Sequence, residues 1–184
     1  MALRRPRHPS LAALLGRELT LDEDPGTLAL IAGLRHVKRA GEFSRAEFLR
    51  MCRWKSPRAA PHYAKNSASR IRAIARAALA TRSERRRMET LITLSGVNVP
   101  VASAILTLID PARYGVLDIR VWQLLFALRC VDGKPGGRGF AVRDWQLYLD
   151  RLRPHAKRLG VSVRAVEYTM FRCHRKLQTG RLYP

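Results

Sequence analysis

Cysteine is scarce in this sequence and is not arranged to bind metal. Cys52, Cys130 and Cys173 lie far apart, and none belongs to a C-x-x-C or Cys/His pattern with ligand spacing. An iron–sulfur cluster needs four clustered thiolates, so the chain cannot supply one. The odd number of isolated thiols argues against a disulfide framework and predicts reduced cysteines in the cytoplasm.

Long apolar runs are missing as well. The N-terminus, MALRRPRHPSLAALLG, opens like a secretory signal, but its apolar run LAALL is too short for one, and no later stretch is long enough to span a bilayer. We therefore expect no membrane association. Residues 1–23 are predicted to form a basic N-terminal arm before a single domain over residues 24–184, a length that can bury a substantial core.

Acidic residues are few compared with basic ones. Only 14 Asp and Glu oppose 35 Lys and Arg, so the formal net charge is +21. Most of the basic residues are arginines, whose planar guanidinium groups suit phosphates and base edges. An excess this large predicts a nucleic-acid partner. A membrane surface is the competing partner, but no segment is both strongly basic and strongly apolar. No obligatory protein partner is evident.

Alternation of apolar and polar residues, the pattern of β-strands, is almost absent, and helical periodicity takes its place. Apolar residues at i, i+3 and i+4 spacing predict one long helix over residues 61–80. Capping boxes are predicted at residues 44–47 and 81–84, and Pro154 is expected to kink or end a helix. The glycine-rich residues 132–139 are predicted to form a plain mobile loop. The fold should therefore be all-α.

Residues 94–121, LSGVNVPVASAILTLIDPARYGVLDIRV, carry the strongest local pattern. Gly96 and Asn98 are residue types that tolerate positive φ. Pro100 stands where the next helix would start, a place where its missing N–H costs nothing. A run of small apolar residues follows, and a Pro- and Gly-containing segment then leads to Asp118. The pattern predicts a helix, a tight turn, a second helix and one carboxylate delivered at the start of a third.

This stretch resembles the helix-hairpin-helix of the DNA glycosylase superfamily (HhH-GPD), whose hairpin usually reads L-P-G-V-G before a helix of small residues. In that superfamily a Gly/Pro segment and then a catalytic Asp follow the hairpin, and Pro111, Gly115 and Asp118 stand in the matching order. The resemblance covers residues 84–126. Asn98 replaces the second hairpin glycine, which an αL conformation would allow.

The resemblance implies a two-lobed, all-α domain with its hairpin unit at about residues 82–129, and a role in base-excision DNA repair. Asp118 would stabilise an oxocarbenium-like sugar or activate the attacking water, although an Asp just before a helix is also an ordinary N-cap. Pro100 occupies the position where bifunctional members carry a Schiff-base lysine. Hydrolysis without strand-cleaving lyase activity is therefore expected.

The resemblance also implies how the hairpin would contact DNA. Gly96, Val97 and Asn98 would aim backbone N–H groups at one phosphate. The backbone carbonyls of Ile92, Leu94 and Val97 would match a site for one sodium or potassium ion, and no other cofactor or metal is expected. The alternative is an ordinary turn between two helices.

Candidate side chains outside the hairpin fall into two sets. A pocket for a flipped base would be lined by Trp54, Tyr63 and Glu167. Other side chains would contact DNA directly: Asn66, which could reach toward the opposite strand, and Arg82 and Arg86 on the first hairpin helix. Each set has a plainer alternative, namely half-buried core for the aromatic rings, a salt bridge for the glutamate and a solvated face for the arginines.

The sequence therefore favours a monofunctional DNA N-glycosylase that binds double-stranded DNA and hydrolyses the N-glycosidic bond of a flipped, damaged or modified base. Such a protein would be cytoplasmic, and nucleoid-associated in a bacterium. Two alternatives stay open. One is a non-catalytic helix-hairpin-helix DNA-binding module, and the other is a basic helical protein associated with RNA or the ribosome.

Overall fold

The computed structural model describes residues 3–4 and 6–182, and over these residues the chain is helical without strands, which confirms the all-α prediction. An isolated antiparallel bridge joins Leu3 to Gln178. The α-helices are α1 (Leu11–Glu18), α2 (Pro25–Gly33), α3 (Val37–Ala40), α4 (Arg45–Lys55), α5 (Ala60–Ala64), α6 (Ala68–Ala80), α7 (Glu84–Leu91), α8 (Val99–Ile109), α9 (Ile119–Ala127), α10 (Val142–Leu159) and α11 (Val163–Leu177). A 3-10 turn, Pro57–Ala59, precedes α5.

The N-terminal residues include one of these helices. Within residues 1–23, α1 packs against α11 and buries Leu11, Leu14 and Leu15. Ser10 caps this helix, because its hydroxyl accepts the N–H of Ala13. Apolar side chains at three- and four-residue spacing thus attach this stretch to the core.

Helix starts follow the capping residues in the sequence. Ser44 and Glu47 form the predicted capping box of α4. The box predicted at residues 81–84 is wrong. Ser83 caps α7 instead, because its hydroxyl accepts the N–H of Arg86. The Glu84 carboxylate binds arginines.

Two other helix predictions are corrected. The single helix expected over residues 61–80 is broken into α5 and α6, since Ser67 accepts the N–H of Arg70 and starts a new helix there. Pro154 does not end α10, which runs through it from Val142 to Leu159, and the kink expected there stays a prediction. The continuous apolar face of α10, which includes the buried Leu149 and Leu152, outweighs one lost backbone hydrogen bond.

Helix α8 lies at the centre of the fold. Apart from Pro100, each residue of this helix is buried, and it packs against α2, α4, α7 and α10. Ala102, Ser103 and Ala104 allow neighbouring helices to approach closely. The second helix of the predicted hairpin is therefore the scaffold on which the other elements are arranged.

A charged cluster joins α7 and α10 to the turn that follows α8. The carboxylate of Glu84 accepts hydrogen bonds from Arg87 at 2.8 Å, Arg113 at 2.6 Å and Arg153 at 2.9 Å. The Tyr114 hydroxyl donates to it at 3.0 Å. Burial raises the pKa of Glu84, but these donors outweigh burial and leave the pKa below its ordinary value.

Replacing Glu84 should destabilise the fold. Glu84→Gln leaves clustered guanidinium groups without their carboxylate, and we expect a loss of ~3 kcal/mol in the free energy of unfolding. Because folding lowers the pKa of Glu84, the loss should be full above the unfolded pKa and should shrink as pH falls through the folded pKa. Urea denaturation between pH 3 and pH 7 measures it. Glu89→Gln on the same helix, which breaks only an exposed pair with Arg85, should leave the free energy of unfolding almost unchanged.

Candidate active site

Asp118 is held in place by the hairpin helix. The Ser103 hydroxyl on α8 donates to the carbonyl of Pro100 at 2.7 Å and accepts the N–H of Leu117 at 2.9 Å. This fixes the extended residues that lead to Asp118. Asp118 then caps α9, with its Oδ1 accepting the N–H of Arg120 at 2.9 Å. The capping role considered from the sequence is confirmed, and it fixes the direction of the carboxylate.

A lysine from another helix meets this carboxylate. Lys55, the last residue of α4, places its Nζ 2.5 Å from Oδ2 of Asp118, and the two side chains are 16% and 15% exposed. Burial raises the pKa of Asp118, but the Lys55 ammonium and the Arg120 N–H outweigh it, so the pKa lies below its ordinary value. Asp118 is therefore ionised at neutral pH.

Lys55 and Asp118 lie in a cleft of about 910 Å³, a size typical of small-molecule sites. We call it the Asp118 cleft. Its walls come from residues 23–27, the end of α4, the start of α8, residues 116–120, the loop at 137–140 and one face of α11. The residues that line it include Trp54, Lys55, Asn98, Pro100, Asp118, Arg120, Arg164, Glu167, Tyr168, Phe171 and Arg175.

Trp54 lies in the wall of the Asp118 cleft, and its role in binding a flipped base stays a prediction. Its Nε1 donates to the Thr27 hydroxyl at 3.1 Å, which fixes the ring. The guanidinium of Arg164 lies 5.5 Å from the centre of that ring and 5.1 Å from the centre of the Tyr168 ring. The cleft therefore offers aromatic surface with cationic groups beside it.

Glu167 also lies in the cleft wall, but its side chain is only 2% exposed. Its Oε2 pairs with Arg164, the partnership expected as the plainer alternative, and accepts the N–H of Val116 at 3.3 Å. Burial raises the pKa of Glu167 above its ordinary value although Arg164 lowers it, and the carboxylate of Asp118 adds to the increase. Asp118 and Glu167, two of the acids that line the cleft, thus have pKa values shifted in opposite directions.

Tyr63 and Asn66 are not brought to this cleft. Tyr63 is fully buried and packs edge-on against Phe48. Asn66 is 3% exposed, donates to the carbonyls of Tyr63 and Ser95, and accepts the N–H of Ser95 at 2.8 Å. The pocket position predicted for Tyr63 and the DNA-facing position predicted for Asn66 are therefore both corrected. Both residues support the hairpin from the protein interior. The buried side-chain amide of Asn66 satisfies the backbone carbonyl and N–H of Ser95.

The hairpin turn has one residue in the left-handed region. Gly96 has φ +80°, and a Cβ there would lie 2.8 Å from the Cβ of His62, so this position requires glycine. Asn98 does not adopt the expected αL conformation, since its φ is −101°. It is instead the N-cap of α8 and accepts the N–H of Val101 at 3.1 Å. Gly96 and Asn98 are exposed, whereas Val97 is 6% exposed.

The other predicted binding residues do not line the Asp118 cleft. Arg82 and Arg86 are exposed at the start of α7. The carbonyl of Leu94 accepts the N–H of Val97 at 3.0 Å, and a carbonyl oxygen keeps a second lone pair. The monovalent-cation site at Ile92, Leu94 and Val97 stays a prediction.

The glycine-rich loop is packed rather than detached. Lys134 pairs with Asp144, and Gln123 on α9 donates to the carbonyl of Gly136 at 3.2 Å. At Gly137, with φ +64°, a Cβ would lie 2.9 Å from the carbonyl oxygen of Ile119. The loop therefore rests on the start of α9 and forms part of the cleft wall. The prediction of a mobile surface loop is therefore wrong. The lack of a side chain at Gly137 lets the loop backbone pack closely against Ile119.

Sequence reasoning missed the contributions of Lys55, Ser103 and Arg164 to the site, and it assigned no role to His174. The His174 ring is fully buried, its Nε2 lies 2.9 Å from Oε1 of Gln123, and burial together with Arg120 lowers its pKa to about 4. No local signal joins Lys55 to Asp118, which are 63 positions apart. The sequence shows only that Lys55 stands two residues before Pro57, where a helix should end.

Comparison with known proteins adds no relative: no family model, no curated protein and no solved structure matches the chain. Within residues 3–4 and 6–182, no helix is long and apolar enough to cross a membrane. Over the same described part, His, Cys, Asp and Glu form no group of three that could hold a metal ion. The geometry of the cleft is therefore the basis for any functional argument.

Removing the ammonium of Lys55 should raise the pKa of Asp118. In Lys55→Gln, burial acts on the carboxylate without its main opposing charge. Folding lowers the Asp118 pKa in the wild type, so the pair stabilises the fold above the unfolded pKa, and this contribution disappears as pH falls through the folded pKa. We expect Lys55→Gln to cost ~3 kcal/mol at neutral pH and less at low pH.

Carbon-13 NMR of the Asp118 carboxyl group measures the pKa directly. Lys176→Gln, which removes a 66% exposed partner of Glu18, is the matched control and should leave Asp118 unchanged. An Asp118 pKa that stays the same in Lys55→Gln would mean that Lys55 does not set its ionisation.

Proposed function

We propose that this protein is a monofunctional DNA N-glycosylase built on an HhH-GPD-like, two-lobed helical domain, and that it acts in base-excision repair. The observation that carries the proposal is the position of Asp118. This carboxylate is ionised, fixed by an N-cap, and placed on the wall of a cleft that the hairpin residues Asn98 and Pro100 also line. The start of α8 and one face of α11 both line this cleft.

The proposed chemistry uses the charge of Asp118. When a base leaves deoxyribose, positive charge develops at C1′ and the ring oxygen. A fixed, partly buried carboxylate stabilises that charge more strongly than water does, because it needs no reorganisation. Water then attacks C1′ and gives its proton to Asp118 or to a nearby group.

DNA binding would rest on the net charge and on the hairpin. A charge of +21 favours a polyanion, and Arg82 and Arg86 stand exposed beside the hairpin. Pro100 has no N–H, and the N–H of Val101 is taken by Asn98. The N–H groups of Asn98 and Val99 at the start of α8 are thus those that a phosphate would use.

The aromatic groups of the cleft suit a flipped base. Trp54 and Tyr168 lie on either side of Arg164, and Phe171 stacks on Tyr168 with 6.5 Å between ring centres. Enzymes that act on a base hold it between such apolar surfaces after removing it from the duplex. A cleft of about 910 Å³ can accept one nucleotide.

A non-catalytic DNA-binding module is the second candidate, and one observation favours it. The Asp118 carboxylate is already paired with Lys55 at 2.5 Å. A closed ion pair between α4 and α9 would serve as an ordinary structural bridge. Under this second function, loss of the Asp118 charge would affect stability and leave every effect on DNA unchanged.

Asp118→Asn separates the two functions. Asn is as good an N-cap as Asp, so the fold should be kept while the negative charge is lost. Purified protein is incubated with duplexes that each carry one modified or mispaired base, and alkali then reveals abasic sites. We expect wild type to release at least one base, and Asp118→Asn to release it ~10²–10³-fold more slowly with similar affinity for the duplex. No strand should be cut before alkali is added.

Asp110→Asn is the control for this experiment, because Asp110 pairs with Lys38 at the end of α8 and lies outside the cleft. It should release the base at the wild-type rate. Duplex binding without an abasic site from any base in the panel would favour the binding module.

Arg86→Gln tests the hairpin side of the interface. If Arg86 contacts a phosphate, its removal should weaken binding to any duplex and reduce the slope of log affinity against log salt by ~1. Arg85→Gln on the same helix is the matched control, since Arg85 is paired with Glu89 at 2.7 Å. Fluorescence anisotropy at several salt concentrations measures both. Equal slopes for the two variants would move the interface away from this end of α7.

A further inference from the structure

The ion pair in the Asp118 cleft has a feature that a purely structural bridge does not need. Lys55 and Asp118 are both accessible from the cleft rather than sealed in the core, because both side chains keep about a sixth of their surface. They come from separate helices, α4 and α9. The Lys55 ammonium and the Asp118 carboxylate thus both face the Asp118 cleft, each from its own helix.

Breaking an N-glycosidic bond creates the same pattern of charge. The electron pair of the C1′–N bond moves to the base, so the sugar becomes positive as the base becomes negative. The bond is ~1.45 Å long, and the charges separate further as it breaks. The Nζ and Oδ2 atoms are in direct contact at 2.5 Å in the free protein, so the substrate must separate the two side chains by several ångströms to bring its C1′–N bond between them.

We propose that Lys55 is a catalytic acid, whose ammonium donates a proton to the departing base while Asp118 stabilises the sugar. This inference rests on the proposed glycosylase function and adds a residue and a substrate class to it. The substrate is a neutral base, which would have to leave as an anion without such an acid. A base that already carries a positive charge leaves as a neutral molecule and needs no such acid.

The step balances without any other reactant. The C1′–N bond breaks, its electrons go to the base nitrogen, and the Lys55 ammonium transfers a proton there. Water then forms the new C1′–O bond, and its proton passes through Asp118 to the Lys55 amine. The products are the free base and an abasic sugar, and both side chains return to their starting charge.

The surroundings of Lys55 support an acid rather than a nucleophile. The Lys55 ammonium donates a hydrogen bond to Asp118 at 2.5 Å, and an ammonium has no lone pair with which to attack C1′. Other cationic groups also lie in the cleft wall. Arg120 lies over the ring of Phe171 at 5.3 Å, and Arg175 lines the cleft as well, together with the acidic Glu23, Asp24 and Glu167.

Lys55→Gln and Lys55→Arg test this role by single-turnover base release from the duplex that wild type cleaves best. Arginine keeps the charge and the hydrogen-bond donors, whereas glutamine loses the charge. We expect base release to fall ~10²–10³-fold in Lys55→Gln and ~10-fold in Lys55→Arg. Equal rates for wild type and Lys55→Gln would overturn the inference. A covalent protein–DNA adduct trapped by borohydride in wild type would overturn it too, because Lys55 would then act as a nucleophile.

A binding measurement decides the matter even where the right base is not in the panel. One duplex carries a pyrrolidine, which is cationic at the position of the sugar, and the other carries a neutral tetrahydrofuran. Wild type should prefer the pyrrolidine, Asp118→Asn should lose that preference, and Lys55→Gln should increase it several-fold because the carboxylate loses its competing cation. A wild-type preference that Lys55→Gln leaves unchanged overturns the role of Lys55 alone. Absence of any preference in wild type, together with no base release, overturns the glycosylase function itself.

Discussion

The burial of helix α8 is the constraint on which the rest of the structure depends. Almost every side chain of this helix is buried, so its neighbours α4, α7 and α10 must approach it closely. Ser103 is a polar side chain inside this closely packed core. Its hydroxyl donates to the carbonyl of Pro100 on the same helix and accepts the N–H of Leu117 beyond the helix. Packing therefore sets the path of residues 110–117, and that path sets the position of Asp118.

The ion pair between Lys55 and Asp118 is not explained by stability. Removing two charges from water costs several kcal/mol for each ion, and an apolar pair of similar size commonly stabilises a fold as well or better. The end of α4 and the start of α9 could be joined without any charge. The pKa of Asp118, which is partly buried at the wall of the cleft, is shifted, and shifted pKa values are common among catalytic groups. The cost of the pair is therefore a physical argument for a role in chemistry.

The features that sequence reasoning predicted depend on local interactions. Ser44 with Glu47, the glycine at position 96 and the N-cap at Asp118 all act within four residues, so they could be read directly. The candidate site could be predicted only in part, because its other residues meet through tertiary packing. Nothing local distinguishes Trp54, which lines the cleft, from Tyr63, which is buried nine positions later. Tertiary packing also decided Pro154, since an amphipathic face extends over many residues while the proline removes a single hydrogen bond.

The acidic residues show why the net charge matters to function. Those of the core and cleft are committed to internal partners: Glu84 to three arginines, Glu167 and Glu23 to Arg164, and Asp118 to Lys55. These four acids thus neutralise cations in the core and cleft, and the net charge of +21 remains to produce repulsion within the protein. A polyanion relieves that repulsion and stabilises the fold to the extent that it binds the folded surface more tightly than the unfolded chain, so binding and stability are linked. If DNA is the partner, as proposed, the free protein is then less stable than the bound one.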